Sequence, residues 1–434
     1  MFRWKGTLGL AVCAALASAN MARGADSALV PDQLSLAGGN AAYLQATPPP
    51  PPKPLMGTLG AIGIGKALEA ANINLYGFVE GGYTYSMNPP PGNKYIPVTS
   101  VFDIRQNRIV LDQLDFSIER TVDITQPKFD VGGKIEAIFG TDSALIHSNG
   151  LLDYHGQFRA GGSYKRFDSP ENQLDLNQAY VDLAIPVGSG LGVRIGKFNT
   201  LLGQEYINPT LNALFSHSYL FNYAIPLTQT GVLFTYNLNS AITVKGGITR
   251  GWNQSVDDNN GAIDFLGEFT WQIDKADDVT LNVSEGPQAA KDNSDYWTVL
   301  DLIYTRTISD NLSIAINGDY GDAPHGTAGG EKSGQWYGVA AYAALTLDPH
   351  FTLNVRGEAY DDANGQTIPG APAGGVRAYE ATVGVAITPF PNDNLGKNFT
   401  IRPEGRFDYA DHDLFNGGVR DYSSQAAVDA IFTF

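Results

Sequence analysis

From Ile73 to the last residue the chain alternates apolar and polar positions in short runs divided by turn-forming residues. In the stretch 191–252, Leu191, Val193 and Ile195 alternate with Gly192, Arg194 and Gly196. After a long irregular segment, Val232, Phe234, Tyr236 and Leu238 alternate with Leu233, Thr235 and Asn237. A tight turn over 237–241 leads to Ile242, Val244 and Ile248, set between Thr243, Lys245 and Thr249. A period of two is that of a strand with one face in apolar surroundings. The other face carries Arg, Lys, Thr and Gly, so it is not a second core.

The pattern predicts sixteen strands, at 73–86, 107–121, 127–139, 173–185, 191–198, 227–238, 241–252, 263–273, 278–285, 296–308, 312–321, 335–347, 351–360, 377–388, 398–409 and 422–434. Most approach the ~9–11 residues that a tilted strand needs to cross a membrane. Phe129, Val131, Ile135, Ala137 and Phe139 oppose Asp130, Lys134 and Glu136; Phe351, Leu353 and Val355 oppose Asn354, Arg356 and Glu358. Phe399, Ile401, Phe407 and Tyr409 likewise oppose Arg402, Glu404, Arg406 and Asp408.

The connections alternate between short (122–126, 186–190, 239–240, 274–277, 309–311, 348–350) and long (87–106, 140–172, 199–226, 286–295, 322–334, 361–376, 410–421), with 389–397 overlong for the short side. Membrane barrels have short periplasmic turns and long external loops, whereas Greek-key sandwiches do not produce this regular alternation. The expected fold is therefore all-β: a transmembrane antiparallel up-and-down barrel of about sixteen strands. This topology puts Trp252, Trp297 and Trp336 at external strand ends and Trp271 toward the periplasmic end, where interfacial aromatics collect.

So wide a barrel leaves an aqueous lumen. The strand phases direct Lys134, Glu136, Arg194, Lys245, Arg356, Glu358, Arg402, Glu404, Arg406 and Asp408 into it. Such charges either set ion preference or merely pair in a wet lumen. Arg or Lys facing lipid at mid-depth costs ~2–4 kcal/mol, which fixes the orientation. Lys197 falls in phase with Ile195 and is expected to snorkel at the external end of its strand. Loop 199–226, with Leu201, Leu202, Leu211, Leu214, Phe215, Leu220 and Phe221, is too apolar for solvent. It is the candidate constriction, with Glu205, Tyr206, Phe215, His217, Tyr219 and Phe221 as its candidate residues; packing over the rim is the alternative. Loop 140–172 is the rival, with Leu145, Ile146, Leu151 and Leu152 beside Arg159, Lys165 and Arg166.

Composition agrees with many strands: 49 Gly, 21 Tyr and 21 Phe, with 17% charged residues. A net charge of −17 argues against a nucleic-acid partner. Residues 1–24 read as a signal peptide, with Arg3 and Lys5 before an apolar run (7–19) and Ala22-Arg23-Gly24 as the cleavage site. The only cysteine, Cys13, lies within that run; too few apolar residues precede it for a lipoprotein box. Residues 25–72 form a Pro-rich periplasmic segment, with a polyproline spacer at 48–54 and a short helix near Lys66 to Ala71. No segment has the ~18 consecutive apolar residues of a spanning helix.

The blocks GKFNTLLGQE (196–205), SHSYLFNYAIPLTQTGVL (216–233), GITRGWNQSVDDNNG (247–261), LYGFVEGGYTYS (75–86) and DLNQAYVDL (175–183) resemble the OmpL-like β-barrel porin family, type 2. The resemblance runs from about residue 75 onward and implies a bacterial outer-membrane channel. It also implies that the terminal Phe434 is an assembly signal read by the barrel-assembly machinery.

The expectation is a porin of the outer membrane (residues 73–434) passing small hydrophilic solutes or ions by passive diffusion, with no cofactor and no metal. Outer-membrane lipid and lipopolysaccharide are its surroundings, and a homotrimer follows by analogy with general porins. Two alternatives remain. A barrel enzyme of lipase or protease type would need a nucleophile, base and orienting group, for which His217-Ser218 is suggestive only by adjacency. A soluble secreted carbohydrate-binding β protein would explain the aromatics and glycines but not the loop alternation or the terminal Phe. The oxygen-rich loops 257–261 and 361–365 lack a correctly placed glutamate for a calcium site.

Overall fold

The computed structural model describes residues 54–87, 102–103, 105–152, 171–324 and 333–434. The leader, residues 48–53 of the polyproline run, Arg159, Lys165 and Arg166 lie outside the described residues. Two short helices, α1 (Pro54–Ala61) and α2 (Gly65–Ala70), precede the first strand.

Among the described residues, sixteen strands of eight to fifteen residues form one closed antiparallel barrel. They begin with β1 (Ile73–Ser86), β2 (Ile109–Arg120), β3 (Asp130–Gly140), β4 (Gln173–Ile185) and β5 (Leu191–Asn199). Next come β6 (Thr228–Asn237), β7 (Ile242–Thr249), β8 (Asp264–Gln272), β9 (Asp277–Pro287), β10 (Tyr296–Ser309) and β11 (Leu312–Ala323). The last are β12 (Gly334–Asp348), β13 (Phe351–Asp362), β14 (Val376–Ile387), β15 (Phe399–Ala410) and β16 (Tyr422–Thr433). Each pairs with its neighbours in sequence, and β1 closes on β16, so no edge is left unpaired. Closure is completed by Phe434, whose N–H donates to Gly77 O at 2.8 Å while Gly77 N–H donates to Phe434 O at 3.0 Å. Gly77 is required there: a Cβ would lie 2.2 Å from Asp115 O and 3.0 Å from the Phe434 ring.

The barrel is inside-out relative to a soluble protein. Ile135 is 55% exposed and Phe234 46%, whereas Arg356 is 1% and Asp408 0% exposed. Lipid covers the apolar outer face, and the charges turn inward toward each other. Two bulges break the strict alternation. One, between Glu80 and Gly81, leaves Asp112 and Gln113 both buried; the other, at Glu136/Ala137, does the same for Asn177 and Gln178.

Two sequence expectations fail here. Lys197 does not snorkel: its Nζ is buried, 3.2 Å from Asp175 Oδ2 and 2.8 Å from Leu176 O. Gly196 adopts φ +138°, which interrupts the alternation and lets Lys197 and Phe198 both be buried. Trp252, Trp297 and Trp336 are not an interfacial belt. They pack edge-on against one another with ring centroids 5.5–6.3 Å apart, and Trp336 is fully buried. Only Trp271 of this set is on the outer face. At the long-loop rim the outer aromatics include tyrosines, among them Tyr337, Tyr379, Tyr409 and Tyr422.

Candidate functional site: the inner loop and its charged wall

The segment between β5 and β6 (200–227) contacts β13, β15 and β16, five to eight strands away around the sixteen-strand ring. In a closed barrel that is the opposite wall, so the segment crosses the lumen. Its sequence explains why it leaves solvent. Leu201, Leu202, Leu214, Phe215, Leu220 and Phe221 are buried, and Asn208 caps a 3-10 turn at Pro209–Leu211 by accepting Thr210 N–H. A π-helical turn, Leu220–Ala224, follows.

A buried loop must satisfy its backbone polar groups. Here the wall does it with acidic and basic side chains. Glu404 accepts the N–H groups of Phe215 (2.8 Å) and Ser216 (3.1 Å), and Glu358 accepts those of Tyr219 (2.6 Å) and Leu220 (2.7 Å). Arg402 donates to the carbonyls of Pro209 (2.9 Å) and Asn212 (2.7 Å), and Arg406 to that of His217 (2.5 Å). Arg356 donates to Ser216 O (2.6 Å) and pairs with Glu205 (2.7 Å) and Glu380 (2.6 Å). Asp408 accepts from Arg406 Nε (2.8 Å) and from the Tyr219 hydroxyl (2.9 Å). Charge-assisted bonds of this kind are the stronger ones, and each satisfies a group that would otherwise be orphaned.

Neutral groups and acids on β2, β10, β11 and β12 hold the loop as well. Gly203 N–H donates to Asp301 (3.0 Å), Gln204 N–H to Asn317 Oδ1 (3.1 Å), and Gln113 Nε2 to Ile207 O (2.8 Å). Trp336 Nε1 donates to Ala224 O (3.1 Å), which ties the tryptophan cluster to the loop.

The proposed wall residues thus divide into two sets. Arg356, Glu358, Arg402, Glu404, Arg406 and Asp408 converge on the loop. Lys134, Glu136, Arg194 and Lys245 pair along the wall: Lys134 with Glu136, Arg194 with Asp182 at 2.9 Å, Lys245 with Glu268 at 2.9 Å. Arg194 also lies 3.8 Å over the Tyr180 ring. Within the loop, Tyr206 N–H donates to Asn212 Oδ1 (2.9 Å), and the His217 ring stacks on Phe221 (4.4 Å) and tilts against Phe102 (4.8 Å). His217 Nε2 faces Tyr206 O, while Ser218 Oγ donates to Glu205 (3.2 Å), so the adjacent His217 and Ser218 do not pair. Burial pushes His217 down to about 4, against the upward pull of Glu205. Burial also pushes Asp103, in the β1–β2 connection, up to about 8, although Thr84 donates a hydrogen bond to it.

Glu380, Asp429, Asp301, Asn317 and Gln113 belong to this network and are absent from the sequence-derived set. Glu380 and Asp429 sit in legible alternations (Ala378, Glu380, Thr382; Gln425, Ala427, Asp429). Gln113 was hidden by a bulge, which sequence periodicity does not reveal. In the rival loop, α3 (Ser143–Ile146) buries Ile146 and packs Leu145 against the same core.

A family model described as putative beta-barrel porin-2, OmpL-like, matches residues 72–434. No curated protein matches the chain. Among solved structures, the outer-membrane channel DcaP of Acinetobacter baumannii aligns with TM-score 0.54 at 14% identity, covering 83% of this chain and 97% of its own. An anion-selective porin from Comamonas acidovorans aligns with TM-score 0.54 at 11% identity, covering 83% and 99%. Pseudomonas putida OprB aligns with TM-score 0.53 at 11% identity, covering 86% and 97%. At such identities the likeness is one of fold.

Proposed function

The chain belongs to the beta-barrel porin-2, OmpL-like family and is a channel porin of the outer membrane, and from this we propose that small hydrophilic solutes diffuse passively past a constriction made by loop 200–227. The observation that carries the proposal is the loop's crossing of the lumen to Glu358 and Glu404 on the far wall. A loop fixed there by side-chain hydrogen bonds narrows the path without closing the barrel ends, and it sets the size and charge of what passes. Arg356, Arg402 and Arg406 act as anchors in this reading, while Lys134, Glu136, Arg194 and Lys245 line the wall beside the path.

The finer features belong to the same proposal. A cleaved leader (1–24) exports the chain from a Gram-negative cytoplasm, and residues 25–72 stand on the periplasmic side. Phe434, which follows β16 and pairs with Gly77, supports recognition by the barrel-assembly machinery. The outward tyrosines near Arg377, whose side chain is 61% exposed, support contact with lipopolysaccharide at the outer rim. A homotrimer is part of the proposal; cross-linking in mild detergent that yields only monomer would remove it.

Planar-bilayer recording of the detergent-purified protein tests the central point. Stepwise openings are expected, with conductance rising when Glu358 and Glu404 are both changed to Gln. A folded barrel that inserts and stays silent would overturn it.

A further inference from the structure

This inference rests on the channel reading and concerns one side chain of the inner loop, Leu211. The wall fixes the depth at which each part of the loop lies. Going down β15, Asp408 holds the Tyr219 hydroxyl, Arg406 the carbonyl of His217, Glu404 the amides of Phe215 and Ser216, and Arg402 the carbonyls of Pro209 and Asn212. Going down β13, Glu358 holds the amides of Tyr219 and Leu220, Arg356 the carbonyl of Ser216, and Asn354 that of Ala213 at 2.9 Å. Arg402 and Asn354 are each the fourth residue from the short-turn end of their strand. Three steps along a strand are about 10 Å. Both strands therefore place 209–213 at the lower edge of the anchored stretch, nearest the short turns.

The chain is rigid there. Pro209 fixes its own φ. Asn208 Oδ1 accepts the N–H of Thr210 at 2.9 Å and its hydroxyl at 2.7 Å, and Leu211 N–H donates to Asn208 O at 3.2 Å. Asn212 clasps the backbone of Tyr206, accepting its N–H at 2.9 Å and donating to its carbonyl at 2.7 Å. Ile207 and Leu214, on either side of this turn, are buried, whereas Leu211 is 47% exposed. No other leucine, isoleucine or phenylalanine of 200–227 is as exposed. A lone leucine on an outer surface needs no explanation. This one stands on a segment inside the barrel, so the water it meets is that of the lumen. An apolar surface at a narrow place impedes strongly hydrated species and gives the apolar part of a solute something to lie against.

We propose that Leu211 forms an apolar lip at the lower edge of the constriction, and that the channel favours small polar solutes carrying an apolar face over equally small ones that are polar all round.

The test is flux through the full-length protein in liposomes, with leucine and asparagine as the solutes: two zwitterions of similar size, one with an apolar side chain. At low concentration the flux follows partitioning into the constriction, and each methylene taken from water strengthens a contact about fourfold. The leucine-to-asparagine rate ratio should therefore be about fourfold higher in the native chain than in Leu211→Asn, which keeps the size and removes the apolar surface. Leu211→Ala should lower the ratio too and raise the single-channel conductance in KCl. The side chain faces water, so both variants should fold, and if one misfolds the other decides. A ratio unchanged in a folded variant overturns the apolar lip, as does a channel that conducts KCl and admits neither amino acid. Misfolding of both variants would show a packing role and overturn it as well. A folded barrel that passes neither ions nor amino acids overturns the channel reading and this inference together.

Discussion

Arg356 on β13 places Nη1 2.7 Å from Glu205 Oε1 on the inner loop, 151 residues earlier in the chain, and both side chains are buried. The same guanidinium holds Glu380 at 2.6 Å. Arg356→Met therefore strands two buried carboxylates, a loss of about 3–5 kcal/mol. The expected outcome is a lower urea midpoint together with larger, noisier single-channel currents. Unchanged conductance with normal stability would remove Arg356 from the loop's anchoring.

Glu358 and Glu404 each receive two consecutive loop N–H groups. Replacing either with Gln leaves one of those donors without its carboxyl acceptor, at about 1–3 kcal/mol. Hydrogen exchange should accelerate at amides 215–220 and stay unchanged in strands β3–β8. The double variant should exceed the sum of the singles if the loop releases as a unit.

His217 titrates at about 4 in the folded protein, below its ordinary 6.5, because it is buried. Above pH 6.5 both folded and unfolded states are neutral there, so its contribution to stability is fully present. As pH falls from 6.5 toward 4, the unfolded chain binds the proton first and stability drops by about 3 kcal/mol. His217→Phe should abolish that part of the acid loss, read from urea midpoints between pH 7 and 4.

Asp103 has the opposite sign. Its folded value is raised from 3.8 to about 8, so its contribution is complete below pH 3.8 and is lost as pH rises toward 8. At neutral pH it keeps its proton while the unfolded chain has lost it, so Asp103→Asn, which never ionises, should match the wild type near pH 3.8 and be the more stable protein at pH 7 by up to about 4 kcal/mol. The variant should be the more stable protein at pH 8.5.

Trp336 is fully buried, touches Trp252 and Trp297, and donates its indole N–H to Ala224 O. Trp336→Ala should cost about 3–5 kcal/mol and Trp336→Phe about 1 kcal/mol. Protease cutting within 220–227 should appear with Ala and not with Phe.

The sequence by itself determined the strands, their order and their faces. Lipid on one side and water on the other impose a period of two, and Phe234 or Arg406 cannot change sides without a large cost. Loop 200–227 announced itself by apolar residues too numerous for solvent. What periodicity does not encode is where a loop lands and what a bulge does. That Arg356 meets Glu205 and that Glu358 and Glu404 cap loop amides follow from closure, which brings strands eight places apart to face each other across the lumen. The three tryptophans at strand ends were equally consistent with a lipid belt; the inward phase at Trp336 and the N–H acceptor supplied by Ala224 made them a cluster inside. Lys197 followed the alternation only as far as Gly196, whose left-handed backbone carried it into the barrel toward Asp175. Local pattern fixes a side chain's face, and only the closed barrel decides its partner.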